Sequence, residues 1–181
     1  MKYFIGVLIL FSFMGCKDPE PRKPIKAKTG SYYKESVKRN KELLAQEEEF
    51  IQNIIAADSS RTYHSTANGS WFYYEKQNQE ANYYPKADDI VTISYNVVSF
   101  SNDTIYSAKE IGNIAYKVDK QELFPGLRNS VKLLKEKETA TFLFPSSMAY
   151  GYHGDNKNIG VNVPIKSTIT IHKIEKNKTI K

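Results

Sequence analysis

One cysteine, Cys16, is all this chain of 181 residues carries, so no disulfide can form within it and any folded part must hold through its core alone. Histidine is nearly as scarce. His64, His153 and His172 show no metal-ligand spacing and read as surface or turn residues, with His153 alone placed in a loop that could line a site. No serine sits in a nucleophile elbow, and no glycine-rich loop is built to cradle phosphate. No DNA- or RNA-reading motif accompanies the basic charge. The apolar run at 4–14 is too short to span a bilayer as a stable helix. There is no internal repeat. Asp88-Asp89 and Glu47-Glu48-Glu49 read as ordinary solvated acids, at a turn and on a helix face. Metal-dependent, phosphate-binding and nucleophilic chemistry are thus left without residues to carry them, and no cofactor, metal or nucleic-acid partner is expected.

What is present is ordinary for a folded domain: 40% hydrophobic and 25% charged residues, with enough length for one core and extra segments. Thirteen tyrosines suit strands and an aromatic-lined cleft. Much of the net charge of +6 lies ahead of the domain. Between Lys17 and Lys41, nine Lys or Arg face three acidic residues, which suits a solvated tether; attraction to an anionic surface is the alternative.

The N-terminus carries a pattern of its own. Met1-Lys2 is a short basic start, the run at 4–14 has the length of a signal h-region, and Phe13-Met14-Gly15-Cys16 closes it. The arrangement resembles a bacterial lipoprotein signal, with residues 1–15 removed and Cys16 lipidated as the first residue of the mature protein. Phe13 stands where Leu is commonest. A plain secretory signal or an uncleaved anchor is the other reading. Lipidation implies a protein anchored in the cell envelope, on the outer membrane facing the periplasm, since acyl chains hold by burying methylenes. Residues 16–31, with Pro19, Pro21 and Pro24 among lysines, form an extended tether.

Residues 32–58 lack Gly and Pro and are rich in good helix formers, with Val37, Leu44, Ile51 and Ile55 near a helical period. The spacing predicts an amphipathic helix that packs on its own domain, a dimer seam being the alternative. From about Gly69 the period becomes two. Strands are predicted at 70–75, 90–100, 104–106, 115–118, 138–144 and 168–174. Phe124, Leu127, Val131 and Leu134 fall at helical spacing, behind Pro125 at the helix start, for about three turns. The order predicts an α+β domain: one antiparallel sheet with a short helix across one face. Residues 144–168 form a long Gly-, Asn- and Pro-shaped loop, a common place for a binding site.

Several runs together resemble the second half of an FKBP-type peptidyl-prolyl cis-trans isomerase. They are Gln121-Glu122-Leu123-Phe124-Pro125-Gly126-Leu127, Ala149-Tyr150-Gly151, Val163-Pro164 and Ser167-Thr168-Ile169, with a strand between the first two. The similarity covers residues 68–176. With the signal, tether and helix ahead of it, the chain further resembles the gliding-motility-associated FKBP-like lipoproteins, the GldI group. The resemblance implies an FKBP-like sheet wrapped on one helix and isomerase activity on X–Pro bonds of envelope or exported proteins. It implies proline-containing clients and gliding-motility proteins as partners. It places Tyr95, Phe124 and Tyr150 in catalytic roles, Tyr150 through its hydroxyl and Phe124 through its backbone N–H. Ile105, Leu127, Val163 and Ile171 become the apolar walls and floor. Ile105 and Tyr106 stand where many members have Phe and Asp, and Leu127 where many have Trp. That implies weak catalysis, with a non-catalytic proline-peptide-binding chaperone or scaffold module as the alternative.

Overall fold

The computed structural model describes residues 29–178, with side chains from Tyr33 onward. The signal peptide expected at 1–15, the lipidation expected at Cys16 and most of the expected tether lie outside the described residues. The chain divides into residues 1–36 and 37–181. Of the first unit only the opening turns of a helix are described, and Tyr33 on them is exposed. All contacts below lie within the second.

Helix α1 runs Thr29–Ala57, so its backbone starts inside the stretch expected as tether. Its stripe is buried as the period required: Ile51 is fully buried, and Val37, Leu43, Leu44, Ile54 and Ile55 are half-buried. Asp58 follows and accepts hydrogen bonds from Ser60, Arg61 and Tyr63, which stops the helix in a local polar knot.

The strands are β1 His64–Ser65, β2 Trp71–Lys76, β3 Ile90–Tyr95, β4 Val97–Val98, β5 Thr104–Tyr106, β6 Ile114–Lys117, β7 Thr139–Phe144 and β8 Ile165–Glu175. They make one antiparallel sheet in the order β1-β2-β7-β8-β3-β6, with β4 pairing β5 and β8. Two short helices interrupt them, α2 at Ala108–Ile111 and α3 at Pro125–Val131. Val91, Ile93, Tyr95 and Val97 are buried, the face that strict alternation predicted.

The strand expected at 90–100 is broken at Asn96. Its side-chain oxygen accepts the backbone N–H of Thr168 at 2.7 Å, and its carbonyl accepts the Ser167 hydroxyl at 2.6 Å. Side-chain bonds thus substitute for a regular ladder there. The last strand is longer than 168–174, because β8 pairs β7, β3 and β4 and so gains partners along its whole length. The central helix is shorter. Pro125 is its first residue, and after Val131 the N–H groups of Lys132 and Leu133 turn to carbonyls three residues back, ending it in a tighter turn. Leu134 lies beyond α3 yet is fully buried.

Gly126 explains how closely α3 sits on the sheet: a Cβ there would lie 2.6 Å from the Phe144 ring. Asp89, expected in water, is only 2% exposed. It accepts the Tyr83 hydroxyl and the backbone N–H groups of Lys86 and Asn177, each at 2.8 Å. The donors of Tyr83 and Asn177 come from outside the turn, so the local sequence does not reveal them.

Candidate active site

Ring packing leads from the core to a hollow in the surface. Phe142 stacks on Phe72 and on Phe144, with centroids 4.9 and 5.7 Å apart. Phe124, at the start of α3, meets Phe144 edge-on at 5.6 Å, Tyr95 at 6.2 Å and Tyr150 at 5.2 Å. Tyr95, Phe124 and Tyr150, singled out from three separate stretches of sequence, are therefore brought together. Above them opens a hollow of about 260 Å³ lined by Tyr95, Tyr106, Ile111, Tyr150, Asp155 and Lys157. Hollows of about 390 Å³ near Arg61 and about 290 Å³ near Tyr83 are larger, but neither is lined by a residue the family resemblance singles out.

The apolar wall residues separate into two groups. Ile105 and Val163 are half-buried and pack against the core outside the lining of the hollow. Leu127 and Ile171 have 0% exposure. Both belong to the same buried cluster as Phe124 and Tyr95, each 9% exposed, and neither lines the hollow. His153 is exposed, packs edge-on against Tyr152 and does not line the hollow.

The loop is more ordered than its composition suggests. Two 3-10 turns, Ser146–Met148 and Gly151–His153, flank Tyr150. Buried Ala149 precedes Tyr150, and the Asn162 N–H bonds the Gly151 carbonyl at 2.8 Å. Gly154 has φ +64°, and a Cβ there would lie 2.3 Å from the Ile159 carbonyl oxygen, so no other residue fits without moving the backbone.

Burial pushes the Tyr150 hydroxyl well above the usual tyrosine range, with smaller contributions from Tyr95, Asp155 and Tyr106 nearby. Burial raises Tyr95 as well. Both hydroxyls therefore remain protonated donors. Among the described residues neither has a hydrogen-bond partner.

Asp155 and Lys157 were not singled out by sequence reasoning. Tyr106, which occupies the position where an acid was missing, donates its hydroxyl to Asp155. The other Asp155 oxygen accepts the N–H groups of Lys157 at 2.9 Å and Ile159 at 2.8 Å. Burial alone would raise the Asp155 carboxyl, but these donors outweigh it and hold it below the usual range. The bond to Asp155 raises Tyr106 in turn. An acid thus reaches the hollow from the loop instead of from β5. Ile111 was also missed, although Ser107 and Glu110 form the capping box that starts its helix and that spacing is visible in sequence. Among the described residues no group of three or more His, Cys, Asp or Glu side chains converges as metal ligands would.

Comparison with known proteins agrees with this geometry. Residues 82–175 match the family described as FKBP-type peptidyl-prolyl cis-trans isomerase. The chain is 30% identical over 148 residues to the probable FKBP-type peptidyl-prolyl cis-trans isomerase FkpA of Neisseria meningitidis serogroup B, covering 82% of this chain and 51% of that protein. It therefore spans about half the length of that relative. The crystal structure of FkpA from Escherichia coli matches with a TM-score of 0.60 at 14% identity, over 96% of this chain and 81% of the other. A peptidyl-prolyl cis-trans isomerase from Pseudomonas syringae matches with a TM-score of 0.58 at 15% identity, over 75% and 96%. These structural likenesses establish an FKBP-like fold. With just over half of its length matched to that one family, this chain belongs to the FKBP-type peptidyl-prolyl cis-trans isomerases.

Proposed function

We propose that the protein catalyses cis–trans isomerisation of X–Pro bonds in envelope or exported proteins while tethered to a membrane through a lipidated Cys16. The barrier to that rotation is about 18–20 kcal/mol and arises from amide resonance, so spontaneous exchange takes roughly tens to hundreds of seconds. The twisted bond loses charge on oxygen and double-bond character. The Tyr95, Tyr106, Ile111 and Tyr150 side of the hollow favours this less dipolar state over the planar one and supplies differential binding without acid, base or metal. Here Tyr95 and Tyr150, both packed against Phe124, offer a surface for the prolyl ring, and the Phe124 backbone N–H and Tyr150 hydroxyl offer donors for the flanking chain.

The observation that carries this reading is the Tyr150 hydroxyl. It is a protonated donor at the rim of the hollow and, among the described residues, has no hydrogen-bond partner. A half-buried donor left open suits a carbonyl that arrives with the client. The test is a protease-coupled isomerisation assay on the full-length chain. Tyr150→Phe should lower kcat/KM about tenfold, the worth of one hydrogen bond of about 1–1.5 kcal/mol. An unchanged rate would remove Tyr150 from the mechanism. Wild-type rate should stay flat up to the alkaline range where an ordinary tyrosine ionises.

The finer assignments draw on the sequence. The signal, the tether and the helix ahead of the domain support a GldI-like lipoprotein that assists gliding-motility machinery, with the domain facing the periplasm from the outer membrane. Cys16→Ser should move the protein from the membrane to the soluble fraction. A second reading, a proline-peptide-binding chaperone or scaffold module without catalysis, is favoured by one observation: Leu127 and Ile171 have no accessible surface and do not line the hollow. Suppression of client aggregation with no isomerisation by the wild type would select it.

A further inference from the structure

We propose that Glu47 of α1 is a positioning residue for the isomerase site, holding the turn that leads into Tyr150 through the backbone N–H of Ser146; this rests on the isomerase reading above. Glu47 was expected on the solvated face of its helix. It is instead 7% exposed, and its Oε2 accepts the Ser146 N–H at 2.8 Å. The placement follows from spacing: Glu47 lies three residues after Leu44 and four before Ile51, on the apolar stripe itself.

The donor it meets is one the loop cannot satisfy alone. Ser146 opens a 3-10 turn, and the first N–H groups of a helical turn have no partner within it. The preceding cap residue is Pro145, which has no side-chain acceptor, and no side-chain cap is made locally. Glu47 supplies that cap from 99 positions away in sequence. Tyr150 follows within four residues, and the Ser146 carbonyl in turn accepts the Ala149 N–H at 3.0 Å. The hydrogen bond therefore anchors the segment at one end, and the Asn162–Gly151 bond holds it just past Tyr150.

Packing alone does not do this. A cavity of about 160 Å³ lies beside the same pair, bounded by Leu43, Leu44, Gly151 and Tyr152. Close-packed side chains therefore do not fix the turn against α1 there, and the directional bond does. Stability does not explain the choice of residue either. The second carboxyl oxygen, Oε1, is buried with no hydrogen-bond partner among the described residues, a costly arrangement on a stripe where leucine would serve. Finally, α1 lies outside residues 82–175, so this link is an addition made by a helix that the family match does not include.

The experiment compares isomerisation by the full-length chain as wild type, Glu47→Gln, Glu47→Met, Ser146→Pro, Tyr150→Phe and the Glu47→Met/Tyr150→Phe pair. Amide exchange at residues 146–150 is measured alongside. Gln keeps an acceptor oxygen and should stay within about twofold of wild type. Met keeps the length but not the acceptor, and should lower kcat/KM about tenfold while exchange at 146–150 quickens. Ser146→Pro removes the donor at a first-turn position that tolerates proline, and should reproduce the loss. Because the effect passes through Tyr150, the double variant should be no slower than Tyr150→Phe alone. A folded Glu47→Met protein with wild-type kcat/KM, or losses that multiply in the double variant, would overturn the proposal. If Glu47→Met does not fold, Ser146→Pro decides by the same criteria. If wild type does not isomerise, the isomerase reading fails, and exchange at 146–150 judges the Glu47 link alone: faster in Met but not in Gln supports it, unchanged in both refutes it.

Discussion

Below the hollow, Leu127, Phe142, Phe144 and Ile171 have no accessible surface and are held by apolar packing. Above it, residues 145–164 keep their shape through polar ties: Glu47 to Ser146, Asn162 to Gly151, and Asp155 to Tyr106, Lys157 and Ile159. The floor draws its strength from buried volume, which is indifferent to pH and punishes any void. The roof draws on directional bonds to two carboxylates, which can be weakened one at a time without opening the core. On the proposed function, a site that must be firm beneath a prolyl ring and still admit a chain from above benefits from that division.

Cutting into the floor should have the largest effect. Phe142→Ala removes a ring stacked on both Phe72 and Phe144 and should cost about 3–5 kcal/mol, read as a lower denaturation midpoint, with isomerisation lost along with the fold. If that variant stayed within 1 kcal/mol or so of wild type, the floor would not be the close-packed layer described.

A cut in the roof should separate activity from stability. Asp155→Asn weakens the ties to Tyr106, Lys157 and Ile159, so amide exchange at Lys157 and Ile159 should quicken and kcat/KM fall several-fold, with the unfolding midpoint lowered far less than by Phe142→Ala. The pH dependence follows from the lowered Asp155 carboxyl. A group held below its unfolded value stabilises the fold fully above that value, about 3.9 for aspartate, and loses the contribution as pH falls through the folded value. Acid titration should therefore bring wild type towards Asp155→Asn below about pH 4, while the gap stays constant at neutral pH. A gap that instead closes on raising the pH would have the wrong sign for this tie.

The smallest effect belongs to neither region. Lys173 and Glu175 pair at 2.7 Å on an exposed end of β8. Lys173→Ala should shift stability by less than about 0.5 kcal/mol and leave the rate unchanged, giving the baseline against which the other two are judged.

The residues alone determined whatever depends on near neighbours. Alternation placed Val91, Ile93, Tyr95 and Val97 on one buried face, and helical spacing put Ile51 inward. Pro125 marked the start of α3. The runs around Phe124 and Tyr150 were specific enough to bring both to one site. What the residues did not disclose is which acids are in water and what lies above what. Asp89, Glu47 and Asp155 each look like loop or helix-surface charges, because one donor to each comes from far along the chain: 88 positions for Asn177 to Asp89, 99 for Ser146 to Glu47 and 49 for Tyr106 to Asp155. The full burial of Leu127 and Ile171 has the same origin. Periodicity reports which face of an element turns inward, but depth beneath that face depends on how elements stack, and only the assembled tertiary structure decides it.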